Sequence, residues 1–254
     1  MTTWLYDGTF DGFLSCVFDM YWQKKMNIRI RKEQEHIRSV YEDVLFMPTI
    51  IANADRVWAG LNKKAAPEQL QQFFCCYLSE LPAEEDNMVG YIRYIFDTPV
   101  PDAGNFYIMH AAQLSNKLYK EVHRMESLVS FQLTKNNIYY AILSPEYNVL
   151  PLMVNYLREH YADQYWLIYD QRRRFGIYYN LQHVETVRLQ FNPNYEARYH
   201  HSGNTWTPED ELYQQVWKAC NKGEMLINGN DQRLQLQHMP RRYWKYVVEV
   251  RNSN

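Results

Sequence analysis

Three consecutive arginines, Arg172, Arg173 and Arg174, follow Asp170 in the run Trp166-Leu167-Ile168-Tyr169-Asp170-Gln171-Arg172-Arg173-Arg174-Phe175. A guanidinium group grips a phosphate through two parallel N–H donors, and an aromatic ring beside it offers a face on which a base can stack. The same mixture recurs in Arg241, Arg242, Tyr243, Trp244, Lys245 and Tyr246. Both clusters point to nucleic-acid contact. Arg172, Arg173, Arg174, Arg241, Arg242 and Lys245 would hold phosphates, and Trp166, Tyr243 or Trp244 would stack. Neither cluster separates DNA from RNA, or nucleic acid from an acidic protein. A charged turn that resists edge pairing, plus a terminal segment with solvated arginines, accounts for the same residues without a ligand. Asp170 is the candidate acid/base for a metal-independent enzyme acting on a nucleobase or nucleotide, although a carboxylate beside arginines is usually an ion-pair partner.

Other chemistries lack their residues. The eight histidines show no H-E-x-x-H or facial-triad spacing, and His200 and His201 are adjacent, so their side chains diverge. Cys16, Cys75, Cys76 and Cys220 show no C-x-x-C spacing, so four reduced thiols are expected, with no metal, iron–sulfur cluster or other cofactor. No glycine-rich phosphate loop and no G-x-S-x-G elbow is present. Glu84-Glu85-Asp86 reads as a helix start rather than an acidic site. The net charge of −2 and pI of about 6.5 exclude a protein that binds nucleic acid through a generally basic surface, so any such contact must be local. Met1-Thr2-Thr3-Trp4 does not open a signal peptide, and no apolar run is long enough to span a membrane. The expectation is a soluble cytoplasmic protein with no membrane contact.

The elements that must position these residues form an α+β fold: a helical N-terminal half packed on an antiparallel sheet (β-β-α-β-β-β), with C-terminal helices. One family unit over 1–254 is expected, mostly helical over 1–125, with the sheet and its helix over 126–191 and a helical part over 192–254. Trp4-Leu5-Tyr6 is a short strand. Phe10, Phe13, Leu14, Val17, Phe18 and Tyr21 then mark one helical face, with Thr9 as N-cap. Lys24–Lys32 reads as a basic solvated stretch with a brief strand at Ile28–Ile30. Helices follow over 53–63, from Pro67 to about Glu80, from about Pro82, and from about Asn105 to Met125. In the sheet, Val129–Thr134 and Ile138–Leu143 flank the turn Lys135-Asn136-Asn137. A helix over Leu150–Tyr161 follows, then Tyr165–Tyr169, the arginine turn, Phe175–Leu181 and a strand through Val187, Leu189 and Phe191. The richness in aromatics (22 Tyr, 11 Phe, 7 Trp) fits a core whose tyrosines reach polar partners at its edge better than a base-stacking surface.

With those residues placed, the chain resembles a bacterial family of DNA metabolism proteins. The resemblance rests on Tyr6-Asp7-Gly8-Thr9-Phe10-Asp11-Gly12-Phe13-Leu14-Ser15; on Tyr139-Tyr140-Ala141 with Pro145 and Asn148-Val149-Leu150-Pro151-Leu152; on Trp166-Leu167-Ile168-Tyr169-Asp170 with Arg172 and Arg173; and on Gln237-His238-Met239-Pro240-Arg241-Arg242-Tyr243-Trp244-Lys245-Tyr246. It departs at Ala219–Asp231, shorter and more polar than the family's segment. The resemblance implies a gene neighbour that is a radical S-adenosylmethionine protein acting in DNA modification or repair, and a relationship to chains fused to a uracil-DNA-glycosylase-like domain. This chain shows no glycosylase extension, so it is expected to act as a stand-alone accessory component that binds DNA, docks to that neighbour, or serves it as a protein-binding scaffold. The family supplies no catalytic residues to carry over.

Overall fold

The computed structural model describes residues 2–37, 42–98, 102, 104–134 and 137–187. The expected C-terminal helices, and the cluster Arg241, Arg242, Tyr243, Trp244 and Lys245, lie outside the described residues. The fold is α+β with a helical N-terminal half. The chain divides into two compact units, one over 2–120 and 147–151, the other over 121–146 and 152–187 among the described residues.

The first unit holds β1 (Thr2–Tyr6), α1 (Phe10–Trp22), β2 (Ile28–Lys32), β3 (Asp43–Phe46), α2 (Ile51–Lys64), α3 (Pro67–Ser79), α4 (Glu84–Asp97) and the first part of α5 (Phe106–Leu128). A three-stranded parallel sheet of order β2-β1-β3 joins the expected helices. The strand β3 has no alternating pattern in Asp43-Val44-Leu45-Phe46, because three of its four residues are exposed. Phe10, Phe13, Leu14 and Val17 of the expected α1 stripe are buried, whereas Phe18 and Tyr21 are half-buried, and Thr9 caps the helix by accepting Gly12 N–H at 2.9 Å. Phe10 lies at the centre of the core, with ring centroids of Trp58, Phe73, Phe74 and Tyr77 between 5.0 and 6.1 Å away. Tyrosine hydroxyls reach polar partners from this core: Tyr77 donates to Gly8 O and Tyr91 to Gln69 O.

The Tyr6–Ser15 stretch is a packing junction. Asp7 Oδ1 accepts from Thr9 N (3.0 Å) and Thr9 Oγ1 (2.7 Å), while Oδ2 accepts from Thr49 Oγ1 (2.7 Å) beyond the end of β3. Ser15 Oγ accepts from Ile50 N at 3.0 Å. These bonds tie the β1–α1 turn to the β3–α2 connection. Gly12 allows the approach, because a Cβ there would stand 2.2 Å from Asp7 Oδ1 and 2.8 Å from Thr49 Oγ1.

The second unit holds the end of α5, β4 (Gln132–Leu133), β5 (Ile138–Leu143), most of α6 (Leu150–His160), β6 (Tyr165–Asp170), β7 (Phe175–Tyr179) and β8 (Val184–Val187), in a sheet of order β4-β5-β6-β7-β8. Both expected hairpins form, β4–β5 and β6–β7. The sheet is mixed, however, and not wholly antiparallel: β5 and β6 run parallel, with Leu143 opposite Asp170. The reason is the connection. A hairpin needs only a few residues, whereas the eleven-residue α6 carries the chain back to the end from which β5 began. The first strand is also shorter than Val129–Thr134, at two residues.

Two outcomes test the first unit. Ala is ordinarily better than Gly in a helix by about 1 kcal/mol. Gly12→Ala should instead lower stability by about 1–3 kcal/mol in urea unfolding, because the new methyl meets the Asp7 carboxylate. The second outcome concerns Glu85, buried in the first turn of α4, where Tyr6 Oη donates to it at 3.1 Å. Burial raises its carboxyl above the ordinary value, outweighing Lys32, the Tyr6 hydrogen bond and Arg31. A raised folded-state value means the native state binds the proton more tightly. This group's contribution is therefore fullest below the unfolded value and falls as pH rises through the folded one. Relative to Glu85→Gln, the wild type should be more stable at about pH 5 than at about pH 8. A difference independent of pH would refute this.

Candidate functional site

The parallel register of β5 and β6 brings two separate stretches to one end of the second unit: Ser144–Glu146 after β5, and Asp170–Arg174 between β6 and β7. Gln171 N donates to Leu143 O at 2.9 Å, continuing the ladder past the strand. The turn is closed by Arg174 N–H on Asp170 O at 2.8 Å, with Arg174 in the left-handed region at φ 57°. Such a conformation costs an L-residue about 1–2 kcal/mol relative to glycine.

Asp170 has no exposed surface, and the Arg173 side chain is 8% exposed. Oδ1 of Asp170 accepts Arg173 N–H at 3.0 Å, and Oδ2 accepts Arg173 Nη1 at 2.9 Å. The same guanidinium donates to Pro145 O (3.1 Å) and Glu146 O (2.9 Å). Arg172 Nη1 donates to Glu146 O at 3.0 Å. The peptide of Glu146 is held from its other side too, its N–H donating to Glu121 Oε1 at 2.8 Å, and Glu121 pairs with Arg124. Burial raises the Asp170 carboxyl above the ordinary range, and Arg173 draws it back only in part. A carboxylate with both oxygens accepting from Arg173 and no surface offers a substrate nothing to bind. Its role here is to hold the turn.

The arginine cluster thus divides. Arg173 is an internal strut and is not available to a phosphate. Arg172 and Arg174 are exposed; Arg172 spends one donor on Glu146 O, and Arg174 has no side-chain partner among the described residues. A guanidinium has five N–H donors, so Arg172 keeps most of its capacity. Glu146 is exposed beside them and offsets part of their charge.

Trp166 does not fit the stacking role. It is 0% exposed, its ring stacks on Tyr179 at 5.3 Å between centroids, and its Nε1 has no partner among the described residues. The cause is that β6 is covered on both faces, so the alternation that would turn one side outward does not hold; only Tyr165 of that strand is exposed. Among the described residues there is no group of three or more His, Cys, Asp or Glu placed to hold a metal ion, and no helix long and apolar enough to cross a membrane.

The strut and the outward arginines should separate by measurement. Asp170→Asn leaves a largely buried guanidinium without its counter-charge and should cost roughly 2–4 kcal/mol in chemical unfolding. Arg172→Ala should stay within about 0.5 kcal/mol of wild type. A loss of similar size at both positions would contradict the division.

No curated protein and no solved structure matches the chain. A family profile does, over residues 82–249, which takes in the arginine turn but begins after the β1–α1 junction. The chain belongs to that family, DUF4130, a domain of unknown function.

Proposed function

We propose that this chain is an accessory nucleic-acid-binding component of a DNA repair or modification system, acting with a radical S-adenosylmethionine protein. The observation that supports this reading is the architecture of the β6–β7 turn. One arginine is committed to a buried aspartate, so the turn is fixed, and Arg172 and Arg174 project from it. A fixed turn presents the two guanidinium groups from a backbone that binding need not order, which lowers the entropic cost. The partner and the DNA setting come from the resemblance in the motifs. An enzyme using Asp170 is the weaker reading, because that carboxylate is enclosed and doubly bonded to Arg173.

The test is binding of the full chain to short single- and double-stranded DNA across a salt series. Arg172→Ala with Arg174→Gly removes both exposed charges, and glycine suits the left-handed backbone at position 174. The pair should weaken binding about 10-fold or more at low salt and flatten the slope of log K against log salt by about 1–2. Stability should not fall. Unchanged affinity and slope would remove the turn from the reading. Capture of the neighbouring radical protein without DNA would favour a protein scaffold.

A further inference from the structure

We propose that the end of α1 is a stacking site for an unpaired base of single-stranded nucleic acid, built from Trp22 on Phe18 with Lys24 and Lys25 beside it. This rests on the reading that the chain binds nucleic acid, but it places a contact in the first unit, on residues outside both arginine clusters.

Trp22 is the last residue of α1 and is 76% exposed. Phe18, one turn earlier, stacks against it with centroids 6.0 Å apart and planes 12° from parallel. The guanidinium of Arg56 on α2 lies 5.7 Å from the Phe18 ring centroid. The Phe18 ring thus contacts both the indole and a cation, and Trp22 itself remains largely open. An unsupported surface tryptophan would have to be ordered by its ligand. The contact with Phe18 restricts this one in part, which lowers the entropic cost of stacking.

The chain that leaves the ring carries the sign a phosphate chain needs, although Arg29 acts on Glu42 and Lys64 donates to Phe96 O. Gln23 ends the helix; Lys24 follows at φ 54° and Lys25 after it, both exposed, with Arg29 exposed on β2. Lys25 Nζ stands 6.0 Å from the Trp4 ring centroid, so its charge lies toward β1. Lys64 lies 6.0 Å over the ring of Phe96, itself packed 5.7 Å from Tyr21 on the same helix. The acids nearby on these helices are Asp19, Asp55 and Asp97, and burial raises the Asp19 carboxyl. Exposed aromatics interleaved with cations are how single strands are held without sequence preference: rings take the bases and cations track the backbone. A duplex hides its base faces in its own stack, so this site favours unpaired strands.

The experiment uses the full chain, fluorescein-labelled oligothymidylate, a blunt-ended two-strand duplex, and phosphatidylserine–phosphatidylcholine vesicles. Trp22→Ala should weaken oligothymidylate binding about 10-fold with no change in salt slope, and Trp22→Phe should keep binding within about 3-fold of wild type. Lys24→Gln with Lys25→Gln should flatten the slope by about 1 or more. Duplex affinity should be the same for wild type and Trp22→Ala. Equal oligothymidylate binding by wild type and Trp22→Ala overturns the proposal. So does a Trp22→Ala loss seen only on vesicles, which would make the ring a lipid-surface contact, or an equal loss on duplex. If Arg172→Ala/Arg174→Gly loses binding while Trp22→Ala does not, the turn stands and this site falls. The reverse result keeps this site and removes the turn. Absence of any oligothymidylate or duplex binding by wild type overturns both.

Discussion

A carboxylate with no exposed surface has to be compensated, and Asp170 sets the terms for everything around it. Stripped of water, it would sooner take up a proton than remain charged alone. Arg173 supplies both a backbone N–H and a guanidinium donor, and the guanidinium then needs acceptors of its own. The parallel pairing of β5 with β6 provides them, because it places Leu143 opposite Asp170 and delivers the carbonyls of Pro145 and Glu146 to the same place. Strand direction, a buried charge and the loop after β5 are thus one arrangement. An antiparallel β5–β6 pair would carry Ser144–Glu146 to the other end of the sheet and leave Arg173 without them.

Asp7 repeats part of this logic in the first unit. It follows a strand with parallel neighbours on both sides, where Asp170 ends a strand with one, and its carboxylate accepts a backbone N–H two residues on, from Thr9, as Asp170 accepts one three residues on. Such local side-chain bonds make Asp a good turn residue. The carboxyl ends of parallel strands are where open sheets commonly receive ligands. In both units that end holds one of the chain's own carboxylates, bonded to hydroxyls at Asp7 and to a guanidinium at Asp170. What a partner can meet is then set by what these turns push outward, which at the second is Arg172 and Arg174.

The helices were legible because each carries its own signals. Thr9 before a stripe at helical spacing and Pro67 at a first helical position state their elements within a few residues. Strand direction is not a local property. Tyr165–Asp170 has the same residues whether its neighbour runs with it or against it, and only the length of the α6 connection bears on the choice. The four-residue β3 was hidden by its exposure. Trp166 was misplaced for a related reason. A strand covered on one face alternates, but one covered on both reads as a continuous apolar run. Trp166-Leu167-Ile168-Tyr169 is such a run, and its length and composition pointed to burial. Trp22 had a signal as well: it follows Tyr21, the last residue of the apolar stripe, so it falls about 100° round the helix from that residue.

The charge balance bears on which of these contacts could matter most. The chain carries 27 Lys and Arg against 29 Asp and Glu, so its distant field does not draw in a polyanion. At physiological salt charges more than about 8 Å apart are largely screened, so two exposed arginines act only on the phosphates they touch. Counterion release from so few contacts contributes little on a single strand, where each phosphate adds only about 0.7 to the salt slope. Ring stacking is short-ranged and needs no favourable net charge. A mildly acidic protein that holds nucleic acid therefore has to lean on aromatic faces, and the tyrosines and phenylalanines around Phe10 cannot serve, because they are buried with it. On the proposed reading the stacking ring is one the core has left outside, and Trp22, followed in the chain by two exposed lysines, is the most exposed aromatic ring among the described residues.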